Sequence, residues 1–207
     1  MKLYYHPGSG PCRRVLAVAA HLELPLELLA IDFMNENDAN SKTMKALDPA
    51  ERIPVFEDAG FVLSESNAIM QYLTSKKVGN NLYPEDAKGR AEVLRWQCFT
   101  IAHLEQSTGT LVYENLFKKV FGGGQSDAAE VAEALEEFMD HAEVLDAHLK
   151  GKKYLVGNTL SIADFSMGAA LMYWEPAGIP IAKFKNLHAW YQNLDSLPAW
   201  KKTTPKF

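Results

Sequence analysis

The sequence predicts two structural parts: a small domain of mixed strands and helices, followed by a domain built only of helices. Over the first eighty residues, strand and helix patterns alternate in the order β-α-β-α-β-β-α. From "YPEDAKGRAEV" onward, only helical periods of apolar residues recur. The pattern changes near "VGNNLYPED", so we expect one domain over residues 1–80 and a second over residues 87–207.

The composition is that of an ordinary globular protein. Of the 207 residues, 47% are hydrophobic, and the formal net charge is −5. Without a basic stripe, the chain is not expected to bind nucleic acid or an anionic membrane. Cys12 and Cys98 lie far apart and form neither a disulfide framework nor a zinc motif, which favours a reducing, cytoplasmic compartment. No signal peptide and no membrane-spanning segment is predicted.

The elements of the first domain follow from local pattern and punctuation. "MKLYY" is strand-like, "HPGSGP" interrupts it, and "CRRVLAVAAHLEL" has a helical period that ends at Pro25. "LELLAIDF" predicts a second strand, and "IPVFEDAGFVL" predicts two more around a turn. "SESNAIMQYLTSK" begins with capping residues and continues as a helix.

In the second domain, two motifs are assigned to folding. Ser161 and Asp164 in "LSIADF" have the spacing of a capping box before an apolar helix. "FGGGQSD" lacks the lysine of a phosphate-binding loop, so it predicts a connection with Ser126 or Asp127 as the next N-cap. The six histidines show no metal-ligand spacing, and no metal site is predicted.

The break after the first strand contains the first candidate for chemistry. Ser9-Gly10-Pro11-Cys12 has the form of a redox C-x-x-C motif whose first cysteine is replaced by serine. A serine cannot form a disulfide, but at the mouth of a helix it can donate a hydrogen bond to the thiolate of another molecule. The alternative is that Ser9 is an ordinary loop or N-cap serine.

Two further motifs are candidates for ligand binding. The proline of Ile53-Pro54 indicates an edge, a bulge or a cis bond, and a cis bond leaves the Ile53 backbone free to pair with an extended peptide. The alternative is an ordinary strand start.

"LSESNAI" opens a helix whose free N–H groups can hold a carboxylate, with Glu65 beside them to hold an ammonium group. The alternative is a plain helix capped by Ser64 or Ser66.

The order of these motifs is similar to that of one known family. A serine at a strand–helix break, then "RIPV", "SESNAI" and "SIADF", resembles the cytosolic glutathione S-transferases over essentially the whole chain. "SGPCRRV" resembles the serine-type, theta-like members. "MKLYYHPG" resembles the bacterial beta class, although Gly10 stands where that class has a cysteine. The resemblance implies a thioredoxin-like N-terminal domain, an all-α C-terminal domain, glutathione as co-substrate without a metal, and a homodimer.

The resemblance also implies roles for individual residues. Ser9 would stabilise the thiolate of glutathione, with Tyr5 as the other candidate. Ile53, before Pro54, would bind the cysteinyl part, and Arg52 would contact glutathione through its basic side chain. Glu65 and Ser66 would bind the γ-glutamyl end, and Asn40 or Lys42 the glycine carboxylate, where theta-like members often have a histidine. The electrophile pocket would include His6, Tyr113, Phe117 and Trp174.

The predicted function is a detoxification reaction in which the thiolate of glutathione attacks a small hydrophobic electrophile. One alternative is glutathione-dependent isomerisation, dehalogenation or peroxide reduction on the same fold. Another is a non-catalytic glutathione-binding or regulatory protein. Because Ser9, Ile53-Pro54 and Glu65-Ser66 are all retained, the enzyme is favoured. The identity of the electrophile does not follow from the sequence.

Overall fold

A computed structural model describes residues 1–205 of the chain, which divide into two compact units. The first unit consists of Met1–Tyr83 together with the segment that starts at Ser196, and the second consists of Pro84–Asp195. The division after Tyr83 lies between the two predicted domains. The segment from Ser196 belongs with the first unit, whereas the sequence assigns it to the helical domain.

The first unit is built on a four-stranded sheet. Its strands are β1 (Lys2–Tyr5), β2 (Glu27–Ala30), β3 (Val55–Asp58) and β4 (Phe61–Leu63). They lie in the order β2-β1-β3-β4. Strand β2 is parallel to β1, whereas β3 runs antiparallel to both β1 and β4. Together with the helices below, this confirms the predicted order of elements.

Two helices of the first unit connect strands, and a third follows β4. They are α1 (Gly10–His21), α2 (Ala39–Leu47) and α3 (Ser66–Ser75). Tyr4 packs with Met44 of α2 in a cluster that also contains Ile31 and Val55. Leu3 is fully buried, and because side chains alternate along a strand it faces the other side of the sheet. The sheet therefore contributes side chains to hydrophobic packing from both faces.

The second unit contains helices and their connections. Its α-helices are α4 (Ala87–Phe99), α5 (Glu105–Val112), α6 (Lys118–Val120), α7 (Ala128–Leu149), α8 (Ile162–Ala170) and α9 (Lys185–Asp195). Two π-helical segments, Thr100–Leu104 and Tyr113–Phe117, interrupt the first three of these, and Ile181–Lys183 is a 3₁₀ turn. Strands were not expected here, and residues 84–195 contain none.

The folding roles predicted for the second unit are confirmed. Ser161 is the N-cap of α8, and Asp164 completes the capping box. Asp127, one of the two residues proposed as N-cap after the glycine-rich connection, accepts hydrogen bonds from Ala129 N and Glu130 N at the start of α7. Within residues 1–205, no helix combines the length and the apolar character needed to cross a membrane.

The C-terminal segment ends in a short helix, α10 (Pro198–Lys202), which packs on α1. The guanidinium carbon of Arg13 lies 3.8 Å from the centre of the Trp200 ring. The same guanidinium donates to the Trp200 carbonyl and to Thr204 Oγ1, both at 3.3 Å. A buried arginine therefore fixes this segment to the first helix.

Candidate functional site

Three connections of the first unit meet at one end of the sheet. Tyr4 near the end of β1 pairs with Val55 at the start of β3, and Phe56 of β3 pairs with Leu63 at the end of β4. The chain therefore leaves β1, enters β3 and leaves β4 at the same end of the sheet. This topology brings the loop that contains Ser9, the segment that contains Ile53, and the start of α3 to one region of the unit.

Ser9 is located at the mouth of α1. It has an extended backbone and is the N-cap, because its Oγ accepts a hydrogen bond from Cys12 N at 3.3 Å. The Ser9 N–H donates to the His6 carbonyl at 3.0 Å, which closes the loop before the helix. A hydroxyl that accepts in this way retains its own hydrogen for donation to a ligand. The N-cap role is thus compatible with thiol activation.

Cys12 is enclosed by the first turn of α1. The residue has no exposed surface. Burial raises the pKa of its thiol to about 11, and the Ser9 hydroxyl and the Arg14 charge only partly offset this effect. The thiol therefore stays protonated near neutral pH and is not a nucleophile.

Tyr5 and His6 extend from the end of β1 in different surroundings. Tyr5 lines a groove together with Leu16 of α1 and Leu28 of β2. His6 Nδ1 accepts from Gly8 N at 3.1 Å, and the imidazole centre lies 5.6 Å from the ring of Phe33. When the imidazole is neutral, this hydrogen bond assigns its proton to Nε2.

The Ile53-Pro54 peptide bond is cis, one of the geometries considered for it. Ile53 precedes β3, and its side chain packs against the cluster around Tyr4. No hydrogen bond of the Ile53 backbone occurs within residues 1–205. Arg52, next to it, is exposed to solvent. The Ile53 N–H and C=O are thus available to a ligand.

Helix α3 begins at Ser66, which is 8% exposed. The N-cap is Glu65, at a φ of 65° and without a side-chain capping bond, so the expectation that Ser64 or Ser66 caps the helix is wrong. Because a left-handed backbone is uncommon for a non-glycine residue, Glu65 occupies an unusual conformation at the predicted site. The backbone N–H groups of the first turn are not used by a side-chain cap.

A buried arginine links the two helix starts, and the sequence analysis missed it. Arg14 is 1% exposed, and its Nη1 donates to Asn67 Oδ1 at 3.4 Å. Burial lowers the pKa of Arg14 to about 10, while the charge of Glu65 counteracts this effect. The signal in the sequence was an arginine inside the apolar run "CRRVLAV". An arginine buried with that run needs a polar partner, and this requirement points to a contact with another element.

The residues proposed for the glycine carboxylate are engaged in local bonds. Asn40 Nδ2 donates to the Ala30 carbonyl at 2.9 Å, which ties α2 to the end of β2. Lys42 Nζ donates to Asn37 Oδ1 at 3.2 Å, and Lys42 is exposed. Each bond uses one N–H of its donor, so the second N–H of the Asn40 amide and two N–H groups of the Lys42 ammonium remain for a carboxylate.

The candidate pocket residues of the second unit lie among aromatic rings. Phe117 contacts Tyr173 edge to face at 5.4 Å and Phe121 at 5.8 Å. Trp174 packs edge to face on His188 at 5.7 Å. Tyr113 starts a π-helical segment and is 53% exposed. Among residues 1–205, no group of three or more histidine, cysteine or carboxylate residues is arranged to hold a metal ion.

Comparison with known proteins identifies both halves of the chain. Residues 3–81 match the family model described as "Glutathione S-transferase, N-terminal domain". Residues 94–198 match "Glutathione S-transferase, C-terminal domain". Each match lies largely within one of the two units.

Solved structures agree with these matches. A glutathione S-transferase III in apo form is 30% identical, with a TM-score of 0.85 over 100% of this chain and 97% of that chain. A delta-class glutathione transferase of Nilaparvata lugens is 30% identical, with a TM-score of 0.84 over 98% of this chain and 92% of that chain. A glutathione S-transferase-I bound with lactoylglutathione shares the fold, at 24% identity and a TM-score of 0.86 over 98% and 97% of the chains. The chain belongs to the glutathione S-transferase family.

Proposed function

We propose that this protein is a glutathione transferase that conjugates the thiolate of glutathione to small hydrophobic electrophiles. The observation that carries the proposal is that three connections meet at one end of the sheet. These connections contain Ser9, Ile53 and Glu65-Ser66. Glutathione has an amino-acid head, a central thiol and a terminal carboxylate. The three connections offer a matching set of groups for the head and the thiol.

The γ-glutamyl head is assigned to the start of α3. Its carboxylate would accept from the N–H groups of the first turn and from the Ser66 hydroxyl, and its ammonium would pair with Glu65. The cysteinyl backbone would pair with the Ile53 N–H and C=O, as an added strand does. Arg52 would add a charge-assisted contact, and Asn40 or Lys42 would bind the glycine carboxylate through an N–H that its present hydrogen bond does not use.

Ser9 is proposed as the group that stabilises the thiolate. Its hydroxyl accepts from Cys12 N and so retains a hydrogen to donate, and the start of α1 adds a partial positive charge. Tyr5 is the weaker candidate, because it lines a groove with Leu16 and Leu28, and none of the other proposed glutathione contacts lines that groove. A charge-assisted hydrogen bond of about 1.5–3 kcal/mol lowers a thiol pKa by roughly one to two units.

The remaining parts of the proposal concern the partners. His6, Tyr113, Phe117 and Trp174 are proposed to contact the electrophile, and their aromatic rings suit an apolar molecule. We further propose a cytoplasmic homodimer that acts in detoxification. Glutathione serves as co-substrate, in keeping with the family.

The test compares Ser9→Ala with Tyr5→Phe in glutathione-dependent conjugation of an aryl halide. We expect Ser9→Ala to lower kcat at pH 6.5 by roughly ten- to a hundredfold, because fewer bound thiols are ionised. The pH profile should shift upward, with the KM for glutathione nearly unchanged. A fully active Ser9→Ala beside an inactive Tyr5→Phe would reverse the assignment, and retention on immobilised glutathione without any turnover would favour the non-catalytic alternative.

A further inference from the structure

The π-helical turn Tyr113–Phe117 contains two of the rings proposed for the electrophile. Its first carbonyl, that of Tyr113, accepts from Lys118 N. Such turns are rare in proteins and occur frequently at functional sites. Tyr113 is 53% exposed, so the backbone of the turn fixes the position of its ring more than side-chain packing does. The contacts that stabilise this turn therefore bear on how the electrophile is bound.

Glu114 lies between these two aromatic residues and is buried. It is 5% exposed, and its Oε2 accepts from Lys118 Nζ at 2.8 Å and from Asp127 N at 2.7 Å. Its Oε1 also accepts from Lys118 Nζ at 3.1 Å, and its backbone carbonyl accepts from Ser126 Oγ at 2.8 Å. A carboxylate is costly to bury unless its oxygens are paired, and these bonds supply the pairing.

The partners of Glu114 lie on both sides of the glycine-rich connection. Lys118 precedes the connection in α6, whereas Ser126 and Asp127 follow it at the start of α7. The residues between them, 121–125, include three consecutive glycines, which give the chain little stiffness of its own. One carboxylate therefore joins both ends of this connection to the π-helical turn.

Two further contacts attach the turn to the segment that follows α8. Asn115 Nδ2 donates to the Ala177 carbonyl at 2.9 Å. The Phe117 ring meets the Tyr173 ring edge to face at 5.4 Å. Neither contact involves the start of α7, so Glu114 supplies the charged link between the turn and that helix.

The charge of Glu114 is maintained near neutral pH. The hydrogen bonds from Lys118 Nζ and from Asp127 N lower the pKa of its carboxyl below the ordinary value. The same ion pair raises the pKa of Lys118. Both groups are therefore ionised under the conditions of a conjugation assay.

We propose that Glu114 is a positioning residue for the electrophile. Through its bonds to both ends of the glycine-rich connection, it keeps the rings of Tyr113 and Phe117 in the arrangement that an apolar substrate contacts. The inference rests on the proposed function, which assigns these two rings to the electrophile. Without Glu114 the rings take several arrangements, and part of the binding energy is spent on ordering them. Binding of glutathione itself is unaffected.

Calorimetric titration with two ligands tests this role without requiring turnover. S-hexylglutathione has an alkyl group on the sulfur, where a conjugate has the remainder of the electrophile, whereas glutathione has none. We expect the unaltered protein to bind S-hexylglutathione roughly tenfold more tightly than glutathione, or better, because the alkyl group is buried against the rings. In Glu114→Ala this preference should fall to about threefold or less, with glutathione affinity within about twofold of the unaltered value.

Steady-state kinetics gives the corresponding prediction for the reaction. At saturating glutathione, Glu114→Ala should raise the KM for an aryl halide about tenfold and leave kcat nearly unchanged. If Glu114→Ala does not fold, Glu114→Gln tests the same role, because it keeps the shape and loses only the charge opposite Lys118. It should weaken S-hexylglutathione binding about threefold or more.

The double variant Glu114→Gln with Lys118→Met is expected to restore binding. Glutamine keeps an acceptor for Asp127 N, and methionine removes the ammonium that has lost its partner. The preference for S-hexylglutathione should return to within about threefold of the unaltered value. A purely destabilising substitution would not be rescued by a second one.

Asp146→Ala is the matched control for stability. Asp146 accepts from Asn186 N at 2.6 Å and from Leu187 N at 3.0 Å, so it joins α7 to α9 and not to the π-helical turn. It should lower the midpoint of thermal unfolding as Glu114→Ala does, but leave the preference for S-hexylglutathione unchanged.

An equal loss of preference in Asp146→Ala would overturn the proposal, since lower stability would then explain the effect. An unchanged preference in a folded Glu114→Ala protein, or the lack of any preference in the unaltered protein, would overturn it as well. A protein that shows the expected preferences but does not conjugate glutathione would refute only the proposed function, so the two failures are distinguishable.

Discussion

At the scale of single residues, two adjacent buried arginines of α1 have different partners. Arg14 donates to Asn67 of α3 and is attracted by Glu65, whereas Arg13 stacks on Trp200 of the C-terminal segment. We expect Arg14→Met to raise the KM for glutathione about tenfold with little change in kcat. The reason is that Glu65 and the start of α3 lose the charge that positions them for the γ-glutamyl head.

Arg13→Met is the matched control, because it removes a guanidinium of similar burial from the neighbouring position. It should leave the KM for glutathione within about twofold of the unaltered enzyme. Steady-state kinetics with glutathione as the varied substrate measures both variants, and circular dichroism verifies that they are folded. Equal increases in KM would mean that loss of stability, and not the link to Glu65, causes the effect.

At the scale of elements, the start of α8 depends on one carboxylate. Asp164 is fully buried, and its oxygens accept from Leu155 N, from Ser161 N and Oγ, and from Trp190 Nε1, at 2.9–3.0 Å. Asp164→Asn would present an amide group to donors that need an acceptor. We expect it to lower the free energy of unfolding by about 3 kcal/mol, measured by urea denaturation.

The control for this substitution is Asp127→Asn at the exposed N-cap of α7. Because asparagine is as good an N-cap as aspartate, the free energy of unfolding should change by less than about 0.5 kcal/mol. A loss at Asp164 no larger than the loss at Asp127 would show that the buried hydrogen bonds of α8 contribute little to stability.

The elements also show what local sequence could and could not predict. The strand order along the chain, the capping box at Ser161 and the N-cap at Asp127 were predictable, because their signals lie within a few residues. The π-helical segments were missed because their extra residue per turn leaves no clear mark in an apolar period. The bond between Arg14 and Asn67 joins residues 53 positions apart, and its partner could be identified only in the folded unit.

At the scale of the whole molecule, the proposed homodimer makes a prediction about assembly. Phe61 lies in β4, an outer strand of the sheet, is 48% exposed, and packs beside Tyr72 at 5.3 Å. An exposed aromatic residue on an edge strand favours association with another surface. We expect sedimentation velocity to give twice the 23.1 kDa mass of one chain.

We expect Phe61→Glu to raise the dissociation constant of this dimer at least tenfold, because an aromatic anchor would be replaced by a charge that must be desolvated. Leu28→Glu is the matched control: Leu28 is 47% exposed and lies in β2, the outer strand at the opposite side of the sheet. If the unaltered protein sediments as a monomer, the homodimer is wrong. If Leu28→Glu dissociates the dimer and Phe61→Glu does not, the interface lies at β2 and not at β4.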